Sequence, residues 1–315
     1  MDAFMTRRNL LAAALAATVA PGRALAQTPT VVRLGLVPSF AAGQAFYAAD
    51  LGMFRRHGLD VQFQFMNNGA SIASAIAGGS LDIGFSDVIS ISSAHLRGLD
   101  FVFIAPGFFN TRRAPGYAIV VRGDSPIRSA RDFSGKTVAI NAVQTISQLI
   151  VQAWVDGNGG DSRAVKFIEL PFAQMVPSVQ QKTVDACTPG EPFVTGAIDQ
   201  GMRAFVLDRN GLINYMPAGY FATRGWIGAN AETVQRVSAA IRDASLFANR
   251  RPIPAEAAST LSKYTKVPLD VVKGLRLQPE YGVGLEPAHV QPVIDAAAKY
   301  GILLHTFPAA EILKG

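Results

Sequence analysis

Hydrophobic positions along this chain come in short β-branched runs separated by longer stretches of helical period. "VVRLGLV" (31–37), "LDVQFQF" (59–65), "DIGF" (82–85) and "FVFIA" (101–105) read as strands. Between them, residues 42–57, 71–77 and 88–97 read as helices, with Gly58 and Gly98 placed where a left-handed C-cap is required. The alternation then restarts with "YAIVV" (117–121), "TVAI" (137–140), "VKFIEL" (165–170), "VDAC" (184–187) and "AFVLD" (204–208), interleaved with helices near 146–155, 174–181 and 193–200. Strand and helix in alternation give a parallel-sheet α/β layer. After a last strand, "AGYFATR" (218–224), the pattern turns helical. Asn230 is placed to cap a helix whose Val234, Val237, Ile241 and Ala244 share one face, Pro252 closes it, and helical period returns at 269–275 and 290–300. Two α/β blocks followed by a helical tail predict two lobes, with the tail packed back on the first. The expected division is 27–113 with 222–315 as one lobe and 114–221 as the other, with chain crossings near 112–116 and 220–225.

One unit occurs twice. "LDIGFSDVIS" (81–90) is echoed by "VDACTPGEPF" (184–193): an acid leads into an apolar run, the run ends in a polar turn, and a glycine follows sixteen residues after the acid, at Gly98 and Gly201. In an open parallel sheet the ligand crevice lies outside the carboxyl ends of the strands. Ser86-Asp87 and Thr188 to Glu191 both follow such a strand, so two matching units can face one cleft, although any two βαβ units share some of this pattern.

The N-terminus changes how much chain enters the fold. Residues 1–26, "MDAFMTRRNLLAAALAATVAPGRALA", carry an arginine pair, a short apolar run, a Pro-Gly break and A-L-A, the pattern of a secretory signal cleaved after Ala26. The apolar run is shorter than the about 20 residues a membrane-spanning helix needs. The T-R-R-N-L-L start fits twin-arginine export, and arginine pairs also occur in Sec signals; either route leads out of the cytoplasm. Removing the segment leaves 26 basic and 22 acidic side chains, a net charge of +4 instead of +6, with no basic stripe for nucleic acid. Cys187 is the only cysteine, so the exported chain has no internal disulfide and must be held by its core. A soluble periplasmic monomer without a lipid anchor is expected.

At "SFAAGQAFYAADLGMFRRHGLDVQF", "GASIASAIAGGSLDIGFSD" and "VDACTPGEPFVTGAIDQG" the sequence resembles the solute-binding proteins of ABC importers in the nitrate, sulfonate and taurine group, which includes relatives that bind thiamine-pyrimidine precursors. The resemblance rests on Gly52, Phe54, Gly58, Leu59 and Val61, on Ala75, Gly79, Asp82, Ile83 and Gly84, and on the turn Glu191-Pro192-Phe193; the tail "LEPAHVQPVIDAAAKYGIL" is also family-like. It implies a type II periplasmic-binding-protein fold, α/β throughout, with two lobes, a two-crossing hinge and closure on a ligand. It also implies a small-molecule solute, an inner-membrane permease as partner, and no cofactor. It does not supply the solute, because the acidic-Pro-aromatic turn occurs among relatives with different ligands.

Residues at the expected strand ends are small, amide or hydroxyl: Ser39 and Gln44, Asn67 and Asn68, Ser86 and Asp87, Gln144 and Thr145. Helices starting after Phe40 and after Gln144 would direct free N–H groups into the cleft, which favours an anionic solute such as a sulfonate or carboxylate. A pyrimidine-type heteroaromatic or an aromatic carboxylate is the alternative. Each residue also has a plain structural role open to it: capping for Ser39, Gln144 and Thr145, helix-dipole compensation for Asp87, packing for Phe40, Tyr117 and Tyr220, and solvent exposure for Arg112 and Arg113. Glu191 completes the candidate set. No nucleophile elbow, phosphate loop or dinucleotide pattern is present, the four histidines lack metal-ligand spacing, and Cys187 sits at a buried strand end, so an exported enzyme is disfavoured. The cysteine-rich motif of the enzymatic thiamine-pyrimidine synthases is missing. A sensory ligand-binding module would share the same cleft.

Overall fold

The computed structural model describes residues 28–207, 212, 214–278 and 280–314; the expected signal segment, residues 1–26, lies outside the described residues. The first four apolar runs form β1 (Thr30–Leu36), β2 (Leu59–Phe65), β3 (Ile83–Asp87) and β4 (Phe101–Pro106). The chain then passes through a short β5 (Phe108–Phe109) to β6 (Ala118–Val121), β7 (Thr137–Ile140), β8 (Lys166–Glu169), β9 (Ala186–Cys187) and β10 (Arg203–Val206). It returns as β11 (Ala218–Thr223), and β12 (Glu280–Tyr281) later pairs with β5.

Two five-stranded sheets result, in the orders β2-β1-β3-β11-β4 and β10-β6-β9-β7-β8. In the first, β1 pairs in parallel with β2 and β3, and β11 runs antiparallel between β3 and β4. In the second, β7 is parallel to β8 and β9, and β6 is antiparallel to β9 and β10. β4 is apolar and buried at every position, as a strand covered on both faces must be.

The repeated unit has a physical basis in strand registration. Asp82 donates its N–H to the Arg33 carbonyl at 3.0 Å, and its carboxylate accepts the Arg33 N–H at 2.8 Å. Asp185 makes the same reciprocal pair with Thr137, at 3.0 and 2.9 Å. Each acid therefore locks its central strand to a neighbour at one register, and a slip of one residue would reverse every side chain. Gly98 and Gly201, both with φ of 82°, end the helices that follow.

Three expectations need correction. The second crossing does not fall at 220–225: β11, with Tyr220 and Phe221, belongs wholly to the first sheet, so the chain returns within residues 207–217, and the expected boundary after Phe221 cuts a strand. The helix read over 42–57 is broken into Phe40–Ala42, Gly43–Asp50 and Met53–Arg56, because Gly52 takes φ of 69° between the last two. Asn230 makes no side-chain cap for Ala231–Ala248; its amide donates back to the Trp226 carbonyl, closing an unexpected helix Arg224–Ala229.

The two passages between sheets are paired. Asn110 and Tyr215 exchange backbone hydrogen bonds at 2.9 and 3.3 Å, and the Leu207 N–H donates to the Tyr117 carbonyl at 3.0 Å. The helix Ala231–Ala248 buries Val234, Val237, Ile241 and Ala244 in the core beneath β1, as its periodicity predicts. The tail does more than cover the first sheet, however. Leu275 enters that core while Leu277, two residues on, enters the core of the second sheet with Val120, Met175 and Val194.

Candidate functional site

Both sheets direct strand ends at one cavity of about 80 Å³. The first sheet contributes Val37, Ser39 and Phe40 after β1, and Phe85, Ser86 and Asp87 from β3. The second contributes Asn141 after β7, Ile146 and Ser147 at the start of the helix Ile146–Gly157, Phe172 after β8, and Gly190 and Glu191 after β9. Phe108 and Tyr117, on the first passage, wall the side between them.

Asp87 ends β3 and caps the helix Val88–Leu96. Its Oδ1 accepts the N–H groups of Ile89 and Ser90, both at 3.1 Å, and its Oδ2 accepts the Ser90 hydroxyl at 2.5 Å. The same Oδ1 reaches across the cleft to the Ile146 N–H at 3.3 Å. One carboxylate thus accepts from the first turns of two helices on opposite sheets. Burial pushes the Asp87 carboxyl above its ordinary value, against the opposing pull of these donors.

Across from it the Phe40 N–H donates to the Glu191 carbonyl at 3.2 Å, a second bond between the sheets. Phe40 is held by Tyr281, whose ring stacks on it at 4.9 Å and whose hydroxyl donates to its carbonyl at 2.8 Å. The Glu191 carboxylate accepts the Thr195 N–H at 3.0 Å, the Thr195 hydroxyl at 2.8 Å and the Leu277 N–H at 2.9 Å. Its pKa is raised by burial, with those donors working the other way. Burial likewise raises the Tyr117 phenol, helped by Tyr215 and the Asp87 charge.

Of the sequence candidates, Ser39, Phe40, Ser86, Asp87, Tyr117 and Glu191 lie on the cavity wall. Five do not. Gln44 is buried and donates to the carbonyls of Pro106 and Gly107 and to the Ser245 hydroxyl, so its amide holds the helix Gly43–Asp50 against the first passage. Tyr220 lies inside the first core, its hydroxyl accepting from the Ala45 N–H at 3.1 Å and its ring 4.9 Å from Phe85. Asn68 caps the helix Gly69–Ala77 through the Ser71 N–H at 2.9 Å. Gln144 accepts φ of 55° and donates its N–H to Gln148, and the Thr145 hydroxyl donates to the Ala142 carbonyl at 2.7 Å. These last three face a separate outer groove. Ser39 makes no side-chain cap either; its hydroxyl turns to the Val37 carbonyl at 3.4 Å. Arg112 and Arg113 are exposed to solvent.

The anion reading meets a specific obstacle. The Ile146 and Phe40 N–H groups, expected to be free, are taken by Asp87 and by the Glu191 carbonyl, and no lysine or arginine lines the cavity among the described residues. Asn141, Ser147 and Phe172 were missed in the sequence. The strand-end rule that selected Ser86 also points to Asn141 and Phe172, each within three residues of a strand's carboxyl end.

Two α/β sheets joined by paired passages and meeting over a cavity at their strand ends define the periplasmic-binding-protein fold. The alkanesulfonate-binding protein SsuA of Xanthomonas axonopodis, solved with MOPS bound, shares it at a TM-score of 0.76 and 20% identity over 91% of this chain and 98% of that one. The periplasmic nitrate-binding protein NrtA of Synechocystis does so at 0.75 and 16% identity, over 91% and 86% of the two chains. A Brucella abortus protein that carries a binding-protein name is 25% identical over 268 residues, 84% of this chain and 80% of its own length. The model of the NMT1/THI5-like family matches residues 40–255, more than half of the chain, and the chain belongs to that family.

Proposed function

We propose that this chain is the periplasmic receptor of an ABC importer: it captures a small organic solute between its two lobes and presents the closed complex to a membrane permease. The observation that carries this reading is the cavity sealed jointly by the two sheets, with Phe40 bonded to Glu191 and Asp87 to Ile146 across it. A solute touching both walls adds to the few bonds that hold the cleft shut, so it shifts the population from open to closed, whereas either wall alone would bind weakly. Among the described residues no group of three histidine, cysteine, aspartate or glutamate side chains is placed to hold a metal, and the buried Cys187 thiol is pushed up by burial, away from the reactive thiolate. Retention of a solute, not its turnover, is what the aromatic and hydroxyl walls are suited to do. Cleavage after Ala26 would deliver the receptor to the periplasm.

A thermal-shift panel of sulfonates, carboxylates, nitrate, amines and pyrimidines on the mature chain tests the proposal. At least one solute should raise the melting temperature in proportion to the logarithm of its concentration above Kd. A panel that leaves it unmoved at millimolar concentration removes the receptor reading.

A further inference from the structure

Resting on the receptor reading, we propose that the cleft selects solutes that bring a cationic, hydrogen-bond-donating edge to Asp87, such as an amine or an amidine, and that it rejects anions.

The charge on the cavity wall comes first. Its ionisable carboxyls are Asp87 and Glu191, and no basic side chain accompanies them among the described lining residues. An anion enclosed there would lose its hydration and gain no ionic partner, the costliest outcome for a buried charge. Backbone N–H groups at a helix start could substitute for a basic residue, but the first of them in the helix Ile146–Gly157 is already taken by Asp87 across the cleft. The protein thus places its own carboxylate at that helix start.

Oδ1 of Asp87 takes three N–H donors, whereas Oδ2 takes only the Ser90 hydroxyl, which leaves it accepting capacity. Ser86, its neighbour on β3, is 3% exposed, lines the same cavity, and has no partner for its hydroxyl. The two groups converge beside Gly69: a Cβ there would collide with Ser86 Oγ and lie 3.6 Å from Asp87 Oδ2. Two acceptor oxygens beside the same glycine, one of them a carboxylate oxygen, suit a donor with two N–H bonds. Glu191 is not the partner, since Thr195 and Leu277 hold its carboxylate.

The walls fit the same class. Phe40, Phe85, Phe108 and Phe172 line the cavity, an aromatic wall that suits a planar body and a cation more than an anion.

The test is titration calorimetry of the mature chain with four compounds that share one ring and differ in charge: benzamidine, benzamide, benzoate and benzenesulfonate. Benzamidine is expected to bind at least tenfold tighter than either anion. In Asp87→Asn, where the amide keeps the helix cap but not the charge, that preference should collapse to near parity. Equal or tighter binding of benzoate or benzenesulfonate to the wild-type chain overturns the proposal and leaves the receptor reading standing. So does a set of hits confined to sulfonates, carboxylates or nitrate in the broader panel. Silence from all four compounds and from the panel overturns both.

Discussion

Glu191 accepts the backbone N–H of Leu277 at 2.9 Å, and this bond fastens the turn after β9 to a segment that begins in the other core. The intervening Arg276 adds two more ties to the second sheet's helix Phe193–Asp199: its N–H donates to the Thr195 hydroxyl at 2.9 Å and its guanidinium meets Asp199 at 2.7 Å. Besides the two covalent passages and the bonds across the cleft, the tail thus adds a further non-covalent link between the two sheets. Glu191, which its place in the turn marked as a ligand contact, has its carboxylate committed to that link.

Glu191→Ala should destabilise the folded chain by about 2–3 kcal/mol, because it leaves the buried N–H of Leu277 and that of Thr195 without an acceptor. Glu191→Gln, which keeps one acceptor oxygen, should cost less than half as much. Urea denaturation of the three proteins measures the difference, and coincident midpoints would contradict the link.

The buried acids set opposite pH dependences. Asp87 and Glu191 have carboxyls raised by burial from ordinary values of 3.8 and 4.5, so the folded chain binds their protons more tightly than the unfolded chain. Their contribution to stability is complete below those values and is lost as pH rises through the folded ones. Asp82 behaves in reverse: burial alone would raise it, but the hydrogen bonds and charge of Arg33 outweigh burial and hold it below 3.8, so its contribution is present above that value and lost as pH falls. Unfolding free energy measured from about pH 4 upward should decline in the wild type and flatten in Asp87→Asn and Glu191→Gln. An identical slope in all three would refute the assignment.

Gly69→Ala tests the space beside Asp87. The added methyl collides with Ser86 Oγ, which must rotate, and it crowds Asp87 Oδ2. Affinity for whichever solute the panel identifies should drop by about tenfold, roughly 1.4 kcal/mol. The melting temperature should change little, since alanine is the better helix former at this position. Unchanged affinity would place the solute elsewhere in the cavity.

Cys187 is fully buried in β9 and its thiol is raised by burial. It should resist a thiol reagent such as DTNB in the native protein and react stoichiometrically once the chain is unfolded in denaturant. Rapid modification of the native protein would show that β9 opens locally.

Much of the sheet framework was legible because each strand is a short apolar run and each helix ends at a glycine or polar turn. The repeated acids at Asp82 and Asp185 showed in the sequence as spacing, but their purpose did not, since their partners Arg33 and Thr137 lie 49 and 48 residues away. The site was harder to read for the same reason. Gln44 and Tyr220 carry the polar atoms a ligand contact needs, yet the Gln44 amide N–H donates to Ser245 and the Tyr220 hydroxyl accepts from Ala45, 201 and 175 residues distant. Local pattern identifies a residue at a strand end; it does not say which distant group has already claimed its hydrogen bonds. The anion expectation meets its obstacle at this step, because Asp87 accepts from the helix start that the pattern had left for a solute.

The insertion of β11 between β3 and β4 also fixes an order of assembly. A ribosome delivers β6 to β10 as one uninterrupted block, so the second sheet has every strand it needs while the first still lacks its fourth member. Until Thr223 emerges, β3 and β4 have a gap where their neighbour belongs, and unpaired strand borders invite pairing with other chains. The half made first is therefore completed last, and vulnerability to aggregation during synthesis falls on the N-terminal strands.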